Sequence, residues 1–115
     1  MLALTCRHDA GGRPFCFEDR LINLAEVPDA AGEPFDVLSP GAWLLAKVPW
    51  TTAEHRIRAE GAEGAIAITL ELDHGAPCLI VERRTWAGAQ PVTQVKLAYR
   101  AEEHELVATF TPAHD

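Results

Sequence analysis

Eight side chains that can bind a small polar molecule occur in two stretches of this sequence. Glu18 lies two residues before Arg20, and Arg83 lies two residues before Thr85. Residues that are two apart in a β-strand share one face of the sheet, so this spacing can build a site. Arginine suits bidentate recognition of a carboxylate, and hydroxyl groups commonly complete such a site. The full candidate set is Cys6, His8, Glu18, Arg20, Arg83, Thr85, Thr93 and Tyr99.

Residues 77–99 have the pattern of a β-hairpin. The first arm is rich in β-branched and apolar residues, the second arm alternates, and Gly88 lies in the connection between them. Two such runs joined by a short glycine-containing turn are typical of a hairpin. With the turn centred on Gly88, we predict that Arg84 lies opposite Val92 and Arg83 opposite Thr93. Alternation then places on one inward face Leu79, Val81, Arg83, Thr85, Thr93, Val95, Leu97 and Tyr99.

The same layout occurs near the start of the chain. A shift of 77 residues places Pro91 on Pro14 and Gly88 on Gly11. Two copies without a third indicate a pseudo-symmetric sheet of two hairpins rather than a solenoid. Both inward faces change from apolar to polar along their length, so we expect their polar ends to be the two walls of one pocket. The inward face of the first hairpin carries Leu2, Leu4, Cys6, His8, Cys16, Glu18, Arg20 and Ile22.

Other elements complete the predicted domain. A helix is predicted over residues 40–48, since Ser39 suits its N-cap and a proline follows at the first helical position. Charged residues alternate with others over residues 52–60, which predicts a strand with one charged, solvated face. A short helix is predicted over residues 62–72 and a last strand over residues 105–111. The expected fold is α+β, with a mostly antiparallel sheet of about six strands and two helices.

Length and composition predict one globular domain in the cytoplasm. The chain has 115 residues, of which 48% are hydrophobic and 23% charged. No apolar run approaches the roughly 20 residues of a membrane span, and no signal peptide follows Met1. The net charge of −7 argues against direct binding of nucleic acid. Because a strand already begins at Leu2, we expect the chain to be a fragment of a longer protein.

Each candidate residue also has a structural interpretation. Glu18 is either one member of an ion pair with Arg20 or His8, or an acceptor for a ligand N–H group. Arg83 either extends past an apolar stripe or holds a carboxylate. His8 is either an ordinary histidine or a ligand contact. Trp50 is expected in the core or in an interface.

Metal binding and catalysis are not predicted. Cys6, His8 and Cys16 can share a face, but a zinc site usually pairs closely spaced ligands twice over. The three cysteines include no CxxC motif and are expected to be reduced. No nucleophile motif with an orienting third residue accompanies them. We therefore expect no metal, no cofactor and no catalytic residue.

The sequence resembles a known family. Thr85-Trp86 and the segment 18–20 are most similar to the histidine-utilisation branch of the UTRA domains. The UTRA domain is the effector-binding domain of the HutC branch of GntR-type bacterial repressors. The resemblance implies a chorismate-lyase-like fold, a pocket for a small effector, and a homodimer. It also implies a winged-helix DNA-binding domain on the N-terminal side, which these residues lack. The resemblance is carried by residues 12–14, 18–23, 39–45, 77–86, 91–93 and 97–99.

For this branch the resemblance implies urocanate as the effector. The arginines that bind phosphate in relatives sensing sugar phosphates fall on Cys6 and His8 here, which disfavours a phosphosugar. The segment 100–104 replaces a more usual Pro-Gly turn. By position, the pocket residues of the family fall on Cys6, His8, Glu18, Thr93 and Tyr99.

These observations predict a domain, residues 1–115, that senses an effector for a transcriptional repressor. Urocanate or a similar small carboxylate would bind and control the attachment of the full protein to DNA. Two alternatives stay open at this point. One is a small lyase-like enzyme on the same architecture, and the other is a dimerisation module without a ligand.

Overall fold

A computed structural model describes residues 1–35, 38–47 and 49–112. Five strands form one antiparallel sheet, and two α-helices pack on it. The strands are β1 (Leu2–Ala10), β2 (Arg13–Ile22), β3 (Thr52–Gly61), β4 (Pro77–Ala87) and β5 (Gln90–Arg100). The helices are α1 (Pro40–Lys47) and α2 (Gly64–Leu70), and short 3-10 turns lie at Pro28–Gly32 and Ala101–Glu103.

The strand order across the sheet is β1-β2-β5-β4-β3. Each hairpin therefore keeps its two strands adjacent, and β2 and β5 join the hairpins at the centre of the sheet. The predicted α+β class with an antiparallel sheet and two helices is confirmed. The described part of the chain has five strands instead of about six.

The internal repeat is confirmed in detail. Cys6 pairs with Glu18 in the first hairpin. The residues 77 positions later, Arg83 and Val95, are paired in the second hairpin. Each hairpin contains a register shift at the equivalent place, after His8 in the first and after Thr85 in the second. Such a bulge adds one residue to one strand and bends it. The added residues are Phe15 and Val92, which are also 77 apart.

The predicted register of the second hairpin is wrong by two residues. Arg84 lies opposite Gln94, and Arg83 lies opposite Val95. Side chains alternate with a period of two, so an error of two residues leaves the side chains before the bulge, including Arg83 and Thr85, on the predicted face. The face that carries the predicted inward side chains is called the inner face below.

The helix α1 covers one end of the inner face. Ser39 caps it, because the Ala42 N–H donates to Ser39 Oγ at 3.4 Å. Trp43 anchors the helix at 5% exposure and meets Phe35 edge to face, with ring centroids 5.5 Å apart. Buried around this contact are Ile22, Val27, Ala30, Trp43, Leu44 and Val92.

The helix α2 covers the opposite face. It is shorter than the predicted span of residues 62–72. Leu70 of this helix packs against Cys78 and Ile80 of β4 and against Ala98 of β5. The two helices therefore lie on different faces of one sheet. No helix in the described ranges is long and apolar enough to cross a membrane.

Two predicted elements differ from the structure. Ile57 of β3 is 55% exposed, whereas Arg58, on the face predicted to be solvated, is half-buried and forms ion pairs with Glu60 and Glu82. The predicted last strand is wrong, because residues 105–112 have no regular secondary structure and pair with no described strand. Alternation of residue types identifies the two faces of a segment, but not the neighbour that covers either face.

Candidate functional site

All eight candidate side chains lie on the inner face. Strand pairing places Cys6 beside Glu18, and it places Thr85 beside Thr93. Because β2 is next to β5, the two hairpins form one continuous surface. The expectation that they form two facing walls is therefore wrong. The wall opposite the sheet is α1.

A cavity of about 150 Å³ lies between α1 and the inner face. Four of the eight candidate residues line it, namely Arg20, Arg83, Thr85 and Thr93. The cavity therefore combines a polar floor with apolar and aromatic side walls, as ligand sites commonly do. The complete lining is Arg20, Gly41, Leu44, Trp50, Arg83, Thr85, Val92 and Thr93.

Arg83 brings an unsatisfied positive group to this cavity. Its Nε atom is buried and has no hydrogen-bond partner among the described residues. No described carboxylate lies within ion-pair distance of its guanidinium group. A buried donor without a partner costs about 1–3 kcal/mol, and more when the donor is charged. Because this atom has almost no accessible surface, an acceptor in the cavity reaches it only when the Arg83 side chain shifts.

Two hydroxyl groups lie beside Arg83 on the cavity floor. The Oγ1 atoms of Thr85 and Thr93 are 2.7 Å apart, so one hydroxyl donates to the other. The hydroxyl that accepts keeps its own hydrogen for another acceptor. The floor can therefore offer a guanidinium group and a hydroxyl donor to one anionic group.

Arg20 is held in place by a buried ion pair. Its Nε donates to Glu18 Oε2 at 2.7 Å, and His8 Nε2 lies 2.8 Å from Glu18 Oε1. Glu18 is 3% exposed and Arg20 is 8% exposed. Burial by itself would raise the pKa of Glu18, but Arg20 and then His8 outweigh it and hold this pKa below its usual range. Glu18 is thus an ionised residue that positions Arg20, as its structural interpretation predicts.

Arg20 also meets the start of α1. A Cβ atom added to Gly41 would lie 3.3 Å from Arg20 Nη2, which is closer than most such contacts. Glycine at this position therefore lets the first turn of the helix approach the guanidinium group. Both residues belong to the lining of the cavity.

Cys6, His8, Glu18 and Tyr99 do not line the cavity. They lie toward the other end of the inner face, where Phe15 is placed between His8 and Tyr99 at centroid distances of 6.2 and 6.4 Å. The ring of His104 stacks on Tyr99 at 3.8 Å. The eight candidate residues therefore form two sets. Four line the cavity, and the other four lie at the end of the inner face where the aromatic rings are in contact.

The two candidate thiols have no sign of nucleophilic activation. Burial raises the pKa of Cys16 to about 11, and it also raises the pKa of Cys6. Burial and the neighbouring Cys16 raise the pKa of Tyr99 to about 12. A reactive cysteine needs a lowered pKa, so these groups are neutral packing and hydrogen-bonding residues at neutral pH. Among the described residues, no cluster has a composition and geometry that would hold a metal ion.

Four lining residues were not predicted as site residues. Val92 was assigned to the opposite face, but the bulge after Thr85 turns it inward. The adjacent Pro91 is the signal for this, since proline within a strand often marks a bulge. Trp50 was expected in the core or an interface, yet it is 50% exposed and lines the cavity. Gly41 and Leu44 carried no signal beyond their helical pattern.

A helix that packs over a polar cavity on an antiparallel sheet is an arrangement that can hold a small ligand. The chain belongs to the UTRA domain family, whose model matches residues 1–105. A crystal structure of the C-terminal domain of the histidine utilization repressor from Pseudomonas syringae has a TM-score of 0.87. It is 35% identical, and the match covers 96% of this chain and 78% of that one. The chorismate-lyase-like fold implied by the resemblance is confirmed.

Two curated relatives are also named histidine utilization repressors. The protein from Pseudomonas putida is 38% identical over 104 residues, which are 90% of this chain and 42% of that protein. The protein from Pseudomonas aeruginosa is 37% identical over 98 residues, which are 85% of this chain and 39% of that protein. The chain thus spans about two fifths of the length of these relatives. Their names describe regulators rather than enzymes.

Proposed function

We propose that this domain senses an effector for a repressor of histidine utilisation, and that it binds urocanate or a similar small carboxylate under α1. The observation that supports this most directly is that Arg83, whose Nε has no hydrogen-bond partner among the described residues, lines a cavity between helix and sheet. The names of the curated relatives support the regulatory class. The chemistry of the cavity and the family resemblance support the choice of effector.

The carboxylate would meet Arg83 and the hydroxyl pair of Thr85 and Thr93. A guanidinium group can donate two parallel hydrogen bonds to a carboxylate, and such charge-assisted bonds are the stronger kind. Arg20 borders the same cavity, but its Nε is already used by Glu18. Arg83 is therefore the principal anchor, and Arg20 adds positive charge.

The size of the cavity favours a small ligand. Its volume of about 150 Å³ is below the roughly 300–1,000 Å³ of pockets that hold drug-sized molecules. The exposed indole of Trp50 offers an aromatic face beside the polar floor, on which a planar ring can stack. A planar acid with an aromatic ring matches both features.

Contacts between the imidazole ring of the effector and Glu18 or His8 stay a prediction. Both carboxylate oxygens of Glu18 are engaged, one by Arg20 and one by His8. Either contact therefore requires this ion-pair network to open when the ligand binds. Stacking of the effector ring on Trp50 does not require this network to open.

In the whole protein, binding would shift the balance between two arrangements of the domains and release DNA. This requires that the effector bind the two arrangements with different affinity. The winged-helix DNA-binding domain outside these 115 residues, the homodimer and the cytoplasmic location are part of this proposal.

Isothermal titration of the purified chain with urocanate tests the proposal. Arg83→Met keeps the aliphatic stem and removes the charge, so we expect binding to weaken about tenfold or more. Arg84→Met is the matched control, because Arg84 is the next residue, is exposed and points to the opposite face. It should change the affinity less than about twofold, as surface changes away from a site usually do.

Two results would count against this proposal. One is the absence of both heat and thermal stabilisation in a chain that circular dichroism shows to be folded. The other is an equal loss of affinity in the Arg83 and Arg84 variants. A dimer by light scattering without any ligand effect would favour a bare dimerisation module.

A further inference from the structure

Two arginine side chains contribute to the cavity under α1, and no described carboxylate does. Arg20 and Arg83 line it together with the hydroxyl groups of Thr85 and Thr93. Guanidinium groups pair well with carboxylate and phosphate groups. Judged by its lining alone, the cavity would hold two positive charges and would suit a ligand with two negative charges, such as a dicarboxylate or a phosphate ester.

The strand register places the two arginines on either side of one residue. Val95 of β5 pairs with Arg20 of β2 and with Arg83 of β4. Neighbouring strands lie about 4.8 Å apart, so the Cα atoms of the two arginines are separated by about 10 Å. Each side chain reaches the lining of the same cavity of about 150 Å³. A small ligand under α1 therefore experiences the charge at both positions.

The charge of Arg20 is balanced from outside the cavity. Glu18 does not belong to the lining, yet its Oε2 accepts a hydrogen bond from Arg20 Nε at 2.7 Å. Burial raises the pKa of Glu18, but Arg20 and His8 outweigh this effect, so that the carboxyl group is ionised at neutral pH. Glu18 and Arg20 are both buried, so solvent screens them little and their opposite charges largely cancel for a ligand in the cavity.

Arg83 has no comparable counter-charge in the described part of the chain. No described carboxylate lies within ion-pair distance of its guanidinium group. Its direct neighbours across the sheet are Val95 of β5 and His55 of β3, and neither side chain is acidic. Because one guanidinium group is balanced and the other is not, the cavity keeps one net positive charge.

We infer that Glu18 sets the charge of the ligand that this cavity accepts, so that the site takes monocarboxylates in preference to dianions. The inference rests on the proposed function, because it concerns the small acid that binds under α1. One carboxylate group is matched by Arg83 and by the hydroxyl pair of Thr85 and Thr93. A second negative group would approach Arg20, whose charge is already balanced, and Glu18 would repel it. A charge without a counter-charge in a poorly solvated site is costly.

Crotonate and fumarate test the inference in the wild-type chain of 115 residues. Both probes have a planar four-carbon skeleton, but fumarate carries a second carboxylate where crotonate has a methyl group. At pH 8 every carboxyl group of both probes is ionised. Each probe is titrated into the chain, and the NMR amide signals of Gly41 and Thr93 report binding in the cavity. The wild type should bind crotonate about tenfold more tightly than fumarate, or better.

Glu18→Gln removes the balancing charge and keeps the shape of the side chain. The amide oxygen can still accept from Arg20 Nε, and the amide nitrogen then faces His8 Nε2. The affinity ratio should shift toward fumarate by about tenfold or more, because Arg20 then offers an unbalanced charge to the second carboxylate. Asp19→Asn is the matched control, since it removes the same charge from the next residue, which is exposed on the opposite face. It should change the ratio less than about twofold.

A neutral pair provides a second variant. Glu18→Leu with Arg20→Met removes one negative and one positive charge, so Arg83 again supplies the net charge of the cavity. The preference for crotonate should therefore stay at about tenfold or more, as in the wild type. This variant separates the balance of charge from every other effect of losing Glu18.

Four results would overturn this inference. They are a wild-type chain that binds fumarate as tightly as crotonate, a wild-type chain that binds neither probe, a Glu18→Gln variant with an unchanged ratio, and an equal shift of the ratio in Asp19→Asn. Titration of urocanate into the same chains separates the two proposals. Urocanate binding with an unchanged ratio in Glu18→Gln would refute only the role of Glu18, whereas a shifted ratio without urocanate binding would refute only the choice of effector.

Discussion

Replacing Glu18 with leucine tests the central ion pair of the inner face. In Glu18→Leu, Arg20 keeps its buried position but loses the carboxylate that lies 2.7 Å from its Nε. The variant fills most of the volume of the original side chain, so the main change is an unpaired buried charge. His8 also loses a partner, but its side chain is 29% exposed and water can replace that contact.

Removing one member of a buried pair typically costs about 3–5 kcal/mol. Both members are less than a tenth exposed here, so solvent screens them little and we expect a loss of about 3 kcal/mol. Domains are stable by only about 5–15 kcal/mol, so this would remove a large share of the free energy of unfolding. For a chain of this size, the melting temperature should fall by about 10 °C or more.

The double variant Glu18→Leu with Arg20→Met separates loss of charge from loss of packing. An apolar pair of similar volume often restores the stability that a broken buried ion pair removes. Urea unfolding should therefore place the double variant within about 1 kcal/mol of the wild type. The reasoning fails if the single variant loses less than about 1 kcal/mol, or if the double variant is as unstable as the single one.

Three further expectations concern stability. The pKa of Glu18 is lower in the folded chain than the roughly 4.3 of an unfolded one. The contribution of the ionised carboxylate to the free energy of unfolding is therefore complete above that pH and is lost as pH falls through the folded pKa. As pH falls, the melting temperature of the wild type should therefore decrease more steeply than that of Glu18→Leu. Equal slopes of melting temperature against pH would exclude this role. Thr85→Val leaves the hydroxyl of Thr93 without its partner at 2.7 Å and should cost about 1–3 kcal/mol in urea unfolding, whereas the double valine variant should recover most of it. Trp43→Ala should cost about 3–5 kcal/mol and detach α1, so that thermal stabilisation by an effector disappears as well.

Sequence patterns predicted the inner face well, for a physical reason. Alternation assigns each side chain to a face, and an even register error by itself changes no assignment, so Arg83 and Thr93 were placed on the correct side. Val92 is the exception, because it lies in the bulge. The repeat added independent support, because both hairpins share their pairing and the position of their bulge. Local rules were sufficient for these strands because each hairpin is local in sequence.

What could not be predicted depends on contacts between distant segments. The cavity exists because α1 lies over the sheet, and no local pattern shows where a helix will pack. Trp50 was therefore missed, and Ile57 was assigned to the wrong environment because its strand lies at an edge. The same limit explains residues 105–111, where alternation predicted a strand that has no described partner.

The strand order also has a consequence for the speed of folding. Each hairpin closes through a short turn, at Gly11 and Gly12 or at Gly88, whereas the β2–β5 ladder joins residues 71–83 positions apart. Hairpins form in about 1–10 μs, but a contact of long sequence separation must first overcome its loop-closure entropy. Docking of β2 on β5 is then the slow step. Substitutions in this ladder, such as Val95→Ala, should slow refolding in stopped-flow measurements, whereas changes at the outer strand β3 should mainly accelerate unfolding.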